Sequence, residues 1–379
     1  MNSLSSLKVL MMGGRRCGKT SALASLFDQM INGATNQFLT VSDRTDNSQN
    51  KDGESIDTLH NKKYELLHLF QNLSNNKFVV DSGLTKHFWD YKLKVQIPGT
   101  SRSMYIDFRD IPGEYCEPTS TQFTQIEDYV RTCDVYVIVI DTPYLMSNNI
   151  AVREAACLSD GIHRLLTNVD LNSNELKQVI FVPIKCEYWM KNDKINEVND
   201  KIRKVYSASI KHLQASKKTE MSIIPIQTAG DIIFTELTQS YNVVNTDTGK
   251  IVHNKCAKIS NKIVRLQDGN NYLLQPNETL VEDLKSIFEG TPITRPIAWY
   301  ELSRAQGDPQ YKPCNCEQLP LHIIRFMFNK DAIKARAGVV GWFMQIFGQI
   351  PKQTLQNALI NLQQKNLIKD NMEGIERIM

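Results

Sequence analysis

The chain has 379 residues, 41% of them hydrophobic and 22% charged, with a formal net charge of +3. That length implies two or three structural units with apolar material enough for a core, and so small a net charge excludes a strong whole-chain attraction to nucleic acid or acidic lipid. No run approaches the ~18 to 20 consecutive apolar residues of a membrane span, no signal-peptide pattern opens the sequence, and the eight scattered cysteines suit a reducing compartment, so a cytoplasmic location is expected.

In chain order, the apolar run Leu7 to Met12 reads as a strand and Ser21 to Met30 as a helix. Between them Gly13-Gly14-Arg15-Arg16-Cys17-Gly18-Lys19-Thr20 fits G-x-x-x-x-G-K-[ST] at every required position. Glycines let backbone N–H groups close around phosphates, and the helix N-terminus adds a partial positive charge. Gly13 to Thr20, with Ser21 behind them, are therefore the expected nucleotide-binding residues. Lys19 would reach the β- and γ-phosphates and the Thr20 hydroxyl would ligate Mg²⁺.

Ser42 to Asn61 is polar and charged, an exposed loop or solvated helix approach. Tyr64, Leu66, Leu67, Leu69 and Leu73 then fall at helical spacing. Tyr91 to Ile97 alternates, Pro98-Gly99 makes a turn, and Met104 to Phe108 is a second strand, so the pair reads as a hairpin. Asp110-Ile111-Pro112-Gly113 follows at once. An aspartate at a strand end beside the phosphate strand can hold Mg²⁺, usually through water. Gly113 would give its N–H to the γ-phosphate.

Val135 to Ile140, Val179 to Ile184 and Ile223 to Ile226 are continuous apolar runs, as strands buried on both faces of a parallel sheet are. The helical stretches Ile150 to Asn168 and Lys194 to His212 lie between them, which implies an α/β sheet wound by crossovers. Lys185 and Glu187 stand at one strand exit, Thr228 and Ala229 at the next. A lysine stem can lie over a purine, a carboxylate can accept its N–H groups, and a small turn can donate to its carbonyl.

Asn242 to Leu274 is polar with short β-like pieces, an insertion or small β-unit, and Leu280 to Phe288 and Pro320 to Phe328 look helical. Cys314-x-Cys316 lacks a second pair at zinc spacing, so no zinc site is expected. In the tail, Leu355, Leu359 and Leu362 mark a helix face before a strand-like end. The pattern is similar to the end of a winged-helix domain. Gln353, Gln356 and Asn357 supply no cations for phosphate, so a partner-binding or self-packing tail is favoured over a nucleic-acid partner.

From Leu7 to Phe234 the order of these boxes resembles a P-loop GTPase of the Ras-like, translation-factor-related class. The resemblance implies an α/β fold with a mostly parallel sheet flanked by helices, a polar β insertion and a helical C-terminal region. The units would be 1–240, 241–300 and 301–379. It implies GTP or GDP with Mg²⁺ held by Thr20, Asp110 and a threonine before the hairpin, for which Thr85 is chosen over Ser82 and Thr40. Lys19, Arg15 and Glu114 are the expected catalytic residues.

The sequence departs from the family at four places. Ile184 and Glu187 replace the Asn or Thr and the Asp of the base box, which bears on guanine selectivity. Arg15 stands where members carry a small residue; it would act as an arginine finger in cis, point to solvent or block a partner's finger. Glu114 replaces the water-orienting glutamine. Tyr311 to Gln318, followed by an apolar helix, is similar to a segment of the bacterial double-GTPase proteins of signalling and conflict systems. In that resemblance Cys316-Glu317-Gln318 is a helix start. The expected function is a slow GTP-hydrolysing switch that signals to a protein partner, with a homodimer left open. The alternatives are a non-hydrolysing nucleotide-bound scaffold and, more remotely, a regulator that uses the tail.

Overall fold

The computed structural model describes residues 6–32, 40–43, 78–79, 88–96, 103–169, 175–216, 218–228, 230–238, 240–244, 251–258, 263–265, 271–273, 297–302, 313–336, 369–370 and 374–378. The chain opens with β1 (Ser6–Gly13), α1 (Lys19–Asn32), β2 (Thr40–Asp43), β3 (Phe78–Val79), β4 (Trp89–Gln96) and β5 (Ser103–Asp110). A 3-10 turn (Gly113–Cys116) leads to α2 (Phe123–Thr132), β6 (Val135–Asp141), α3 (Thr142–Leu145), α4 (Ile150–Cys157) and α5 (Ser159–Thr167). Next come β7 (Lys177–Ile184), α6 (Glu187–Lys191), α7 (Ile195–Val205), α8 (Ser207–Gln214) and β8 (Thr219–Ile223). Then follow β9 (Ile232–Thr238), β10 (Ser240–Val244), β11 (Ile251–Lys258), β12 (Ile263–Arg265), β13 (Asn271–Leu273), β14 (Ile297–Leu302), α9 (Gln318–Arg336) and β15 (Glu376–Ile378).

The main sheet has the order β15-β8-β7-β6-β1-β5-β4-β2. Neighbours from β5 to β8 pair parallel, while β4, β2 and β15 join antiparallel. This is the mostly parallel α/β sheet that the apolar runs predict. Every residue of β6 is buried, as a strand covered on both faces requires. The expected hairpin is β4 with β5, in register from Trp89 opposite Asp110 to Gln96 opposite Ser103.

Side chains alternate across β1. Leu7, Val9 and Met11 pack with Leu23 and Leu26 of α1 and with Leu319, Ile323 and Phe326 of α9. Leu10 and Met12 face the other layer, with Ile126 and Val130 of α2, Leu165 of α5 and Val198 and Ile202 of α7. Each such buried aliphatic side chain contributes about 1.5–3 kcal/mol, and the two layers pin β1 from both sides. The loop after β1 is therefore carried on a strand packed on both faces.

Two expected helices are each broken. Leu158 adopts φ 50 and divides 150–168 into α4 and α5. Buried Tyr206 divides α7 from α8, and its hydroxyl donates to the Cys157 carbonyl at 2.9 Å, tying the two breaks together. α9 is longer than predicted; Pro320 sits in its first turn, where no intrahelical N–H is lost. The polar stretch forms the antiparallel pairs β10–β11 and β12–β13. β9 pairs with β14 and β14 with β3. The Pro98-Gly99 turn, the helical patterns near 64–73 and 280–288, and tail residues 350–368 lie outside the described residues.

Candidate functional site

β1 ends at Gly13 and α1 starts at Lys19, so residues 14–18 form the connecting loop at the carboxyl ends of the parallel strands. In open α/β sheets ligands bind at this edge. Gly18 has φ 102, a conformation that side chains resist, and a Cβ there would stand 2.8 Å from Ile184 Cδ1. At Gly14 a Cβ would stand 2.0 Å from the Ala156 carbonyl oxygen. At Gly14 the neighbouring backbone leaves no room for a side chain, and at Gly18 the backbone conformation disfavours one. Arg16 takes φ 53 in mid-loop, Cys17 is buried with its N–H directed at Gly14 O, and Ser21 is buried in the first turn of α1.

Lys19 is buried, and its Nζ donates to the carbonyls of Gly13 and Gly14 at 3.2 Å each. Burial works against its charge, but Cys17, Asp110, Cys116 and Glu114 outweigh this and hold its pKa above the ordinary lysine value. The Thr20 hydroxyl donates to Asp110 Oδ2 at 3.2 Å. Asp110 closes β5 opposite Met11 of β1 and is fully buried. Burial pushes its carboxyl up to about 6, with Lys19 and Thr20 pulling the other way. Its Oδ1 has no hydrogen-bond partner among the described residues. A hydroxyl oxygen facing a buried carboxylate with an unsatisfied oxygen is a donor set that fits a hard divalent cation such as Mg²⁺.

The Asp110–Gly113 box lies against the loop. A Cβ on Gly113 would come 2.4 Å from Arg15 N and 2.5 Å from Gly14 C. Arg15, half-exposed, directs Nε at Glu114 Oε2 (3.6 Å) and Glu117 Oε1 (3.0 Å). The structure brings together Arg15 and Glu114, both expected at the γ-phosphate, in direct contact with each other. Glu117 was absent from that expectation. Residues three apart eclipse on a 3-10 turn, so the Glu-x-x-Glu spacing was the signal.

On the far side of the loop, Lys185 adopts φ 56 and its Nζ donates to Asp141 Oδ2 at 2.7 Å. Its Cε lies 3.8 Å from the place a Gly18 Cβ would take, so the stem runs along the loop. Asp141 is fully buried at the end of β6, beside Ile184 in register. In the sequence Asp141 only ends the run that begins at Val135, with nothing there to tie it to Lys185. Glu187 is buried as the first residue of α6. Thr228 is buried, and its carbonyl accepts from Ser25 Oγ at 3.1 Å, which ties this turn to α1. Ala229, Thr85 and Ser82 lie outside the described residues. Thr40 stands in β2, two strands from β5 and paired with Gln96 at the end of the hairpin away from Asp110.

Cys314 exchanges both backbone hydrogen bonds with Gln227, and the Cys316 thiol donates to the Gln227 carbonyl at 3.4 Å. Both cysteines are reduced, and Gln318 begins α9 two residues after Cys316. The segment fastens α9 to the turn before Thr228. Among the described residues no helix is long and apolar enough to cross a membrane.

No protein-family model and no curated protein matches the sequence. Among solved structures the chain is similar to the GTPase-like domain of S. cerevisiae Ski7 bound to GTP, at 16% identity and a TM-score of 0.32. It is also similar to the same domain bound to GDP and inorganic phosphate, at 20% identity and a TM-score of 0.30. Each match covers 59% of this chain and 43% of the other, so the chain spans less than half the length of those structures.

Proposed function

We propose that the chain binds GTP with Mg²⁺ and acts as a switch that hydrolyses GTP slowly. One observation carries this reading. Thr20 Oγ1 and the buried carboxylate of Asp110 meet at 3.2 Å beside a glycine-walled loop whose lysine is also buried. Two buried groups of opposite charge at one strand edge, one with an unsatisfied oxygen, suit an anionic ligand that arrives with a cation.

In this reading Lys19 exchanges the Gly13 and Gly14 carbonyls for the β- and γ-phosphates. Backbone N–H groups of the loop and of Gly113 donate to phosphate oxygens. Thr20, Asp110 and Thr85 hold Mg²⁺, which when bound neutralises charge on the phosphates. Lys185, steadied by Asp141, lies along the base; Glu187 accepts its N–H groups, and the Thr228-Ala229 turn meets its carbonyl. Glu114 orients the attacking water and Arg15 stabilises the developing charge. Loss of the γ-phosphate would release the segments around Thr85 and Gly113 and change which protein partner binds.

The Arg15–Glu114 contact favours a second reading, a scaffold that keeps its nucleotide intact, because the carboxylate meant for water is engaged by a guanidinium. The unit 241–300 is proposed as an insertion on the grounds that β9, which precedes it, and β14, which spans its end, are hydrogen-bonded neighbours. A nucleotide-binding unit over 1–240, a C-terminal region over 301–379, a cytoplasmic location and a place in a bacterial signalling or defence system rest on the sequence alone. The test is to denature the purified protein and identify the released nucleotide by chromatography. GTP or GDP is expected; an adenine nucleotide would overturn the guanine assignment. Intact GTP after prolonged incubation with Mg²⁺ would select the scaffold.

A further inference from the structure

Arg15 faces two carboxylates where one would neutralise it. Glu117 is the nearer, at 3.0 Å, and Glu114 stands at 3.6 Å. Both reach the same guanidinium because Glu114 lies in a 3-10 turn and Glu117, three residues on, caps its C-terminal end. The turn does not need the Glu117 carboxylate: the Glu117 backbone N–H donates to the Glu114 carbonyl at 3.1 Å. Nor does the contact between turn and loop, which Gly113 makes through its backbone against Gly14 and Arg15.

An arginine accelerates phosphoryl transfer when its charge reaches the phosphate. Here two carboxylates compete with the phosphate for that charge. We propose that Glu117 is a positioning residue that restrains Arg15 and thereby slows hydrolysis. This rests on the GTP-binding reading above and adds to it a built-in brake. The pair is partly exposed, and such pairs are weak. The restraint is correspondingly small, about a two- to fivefold effect on rate.

The test is single-turnover GTP hydrolysis in Mg²⁺ by the full chain, with affinity for a fluorescent GTP measured on the same preparations. Glu117→Gln should hydrolyse about two- to fivefold faster at unchanged affinity. In an Arg15→Ala background the same change should alter nothing. Glu117→Asp keeps the charge and should stay nearer the wild-type rate; the reverse order overturns the charge argument. Equal or slower hydrolysis by Glu117→Gln overturns the brake while leaving GTP binding intact. A gain that persists without Arg15 overturns the route through that residue. Absence of GTP binding by the wild type would instead defeat the nucleotide reading, and the brake with it.

Discussion

Two charge clusters in this molecule are settled in opposite ways. Beside the glycine-walled loop after β1, Asp110 has one hydrogen bond from Thr20, one oxygen without a partner among the described residues, and a pKa raised to about 6 chiefly by burial. Where α9 meets the end of the chain, Asp370 receives Arg325 at 2.7 Å and Arg377 at 3.2 Å on each oxygen. Burial would raise this carboxyl too, but Arg325, Arg377 and His322 outweigh it and its pKa is lowered. His322 completes the clasp. Its Nε2 donates to the Lys369 carbonyl and its Nδ1 accepts from Arg325, each at 3.1 Å. A cluster whose carboxylate has both oxygens paired holds the chain together. An under-satisfied one costs stability and is kept where a ligand will complete it.

Four experiments sharpen or break that contrast. The largest effect should come from Lys19→Ala, which removes the cation of the first cluster: triphosphate affinity should fall at least ~100-fold, about 3 kcal/mol, with the melting temperature little changed. Arg325→Ala strikes the second cluster. Chemical denaturation should show a loss of about 2–3 kcal/mol, the partly exposed Asp370 moderating the cost of a broken buried pair, while GTP binding survives. Equal losses of affinity from both variants would erase the distinction.

Acid should act on the clasp next. Burial and Arg325 hold His322 neutral, with its pKa lowered from 6.5 to about 4. Below pH 6.5 the unfolded chain takes up a proton that the folded chain refuses. Stability therefore falls as pH drops from 6.5 toward 4, by about 2 kcal/mol at pH 5, and Asp370 extends the loss further into acid. Urea titrations at several pH values would show it; His322→Gln should flatten the slope between pH 6.5 and 5. The smallest effect is the most diagnostic. Asp110→Asn should stabilise the nucleotide-free protein by about 1 kcal/mol, since it removes a buried charge, and should abolish the Mg²⁺ dependence of binding. Destabilisation by that change would place Asp110 among the structural groups.

Local chemistry made one cluster legible in the sequence and tertiary contact hid the other. Gly13 to Thr20 declare themselves in consecutive residues, and the apolar run Leu7 to Met12 marks the strand before them, whose two faces only the packing separates. Asp110 was readable because a strand end precedes it. Asp141 became a partner of Lys185 through the register of β6 and β7, and Glu117 became a partner of Arg15 through the 3-10 turn. Neither follows from composition. The breaks at Leu158 and Tyr206 escaped because neither residue is a helix breaker; the Tyr206 hydroxyl on the Cys157 carbonyl is a long-range contact. The Arg325–Asp370–His322 clasp joins α9 to a segment 45 residues away, with no motif to announce it.

Calorimetric titration of the wild type with GTP, in Mg²⁺ and in a chelator, puts the central claim to its most direct test. Saturable binding that weakens at least ~10-fold without Mg²⁺ and disappears in Lys19→Ala is the predicted result. Binding indifferent to Mg²⁺ and to Lys19, or no binding at all, would contradict it.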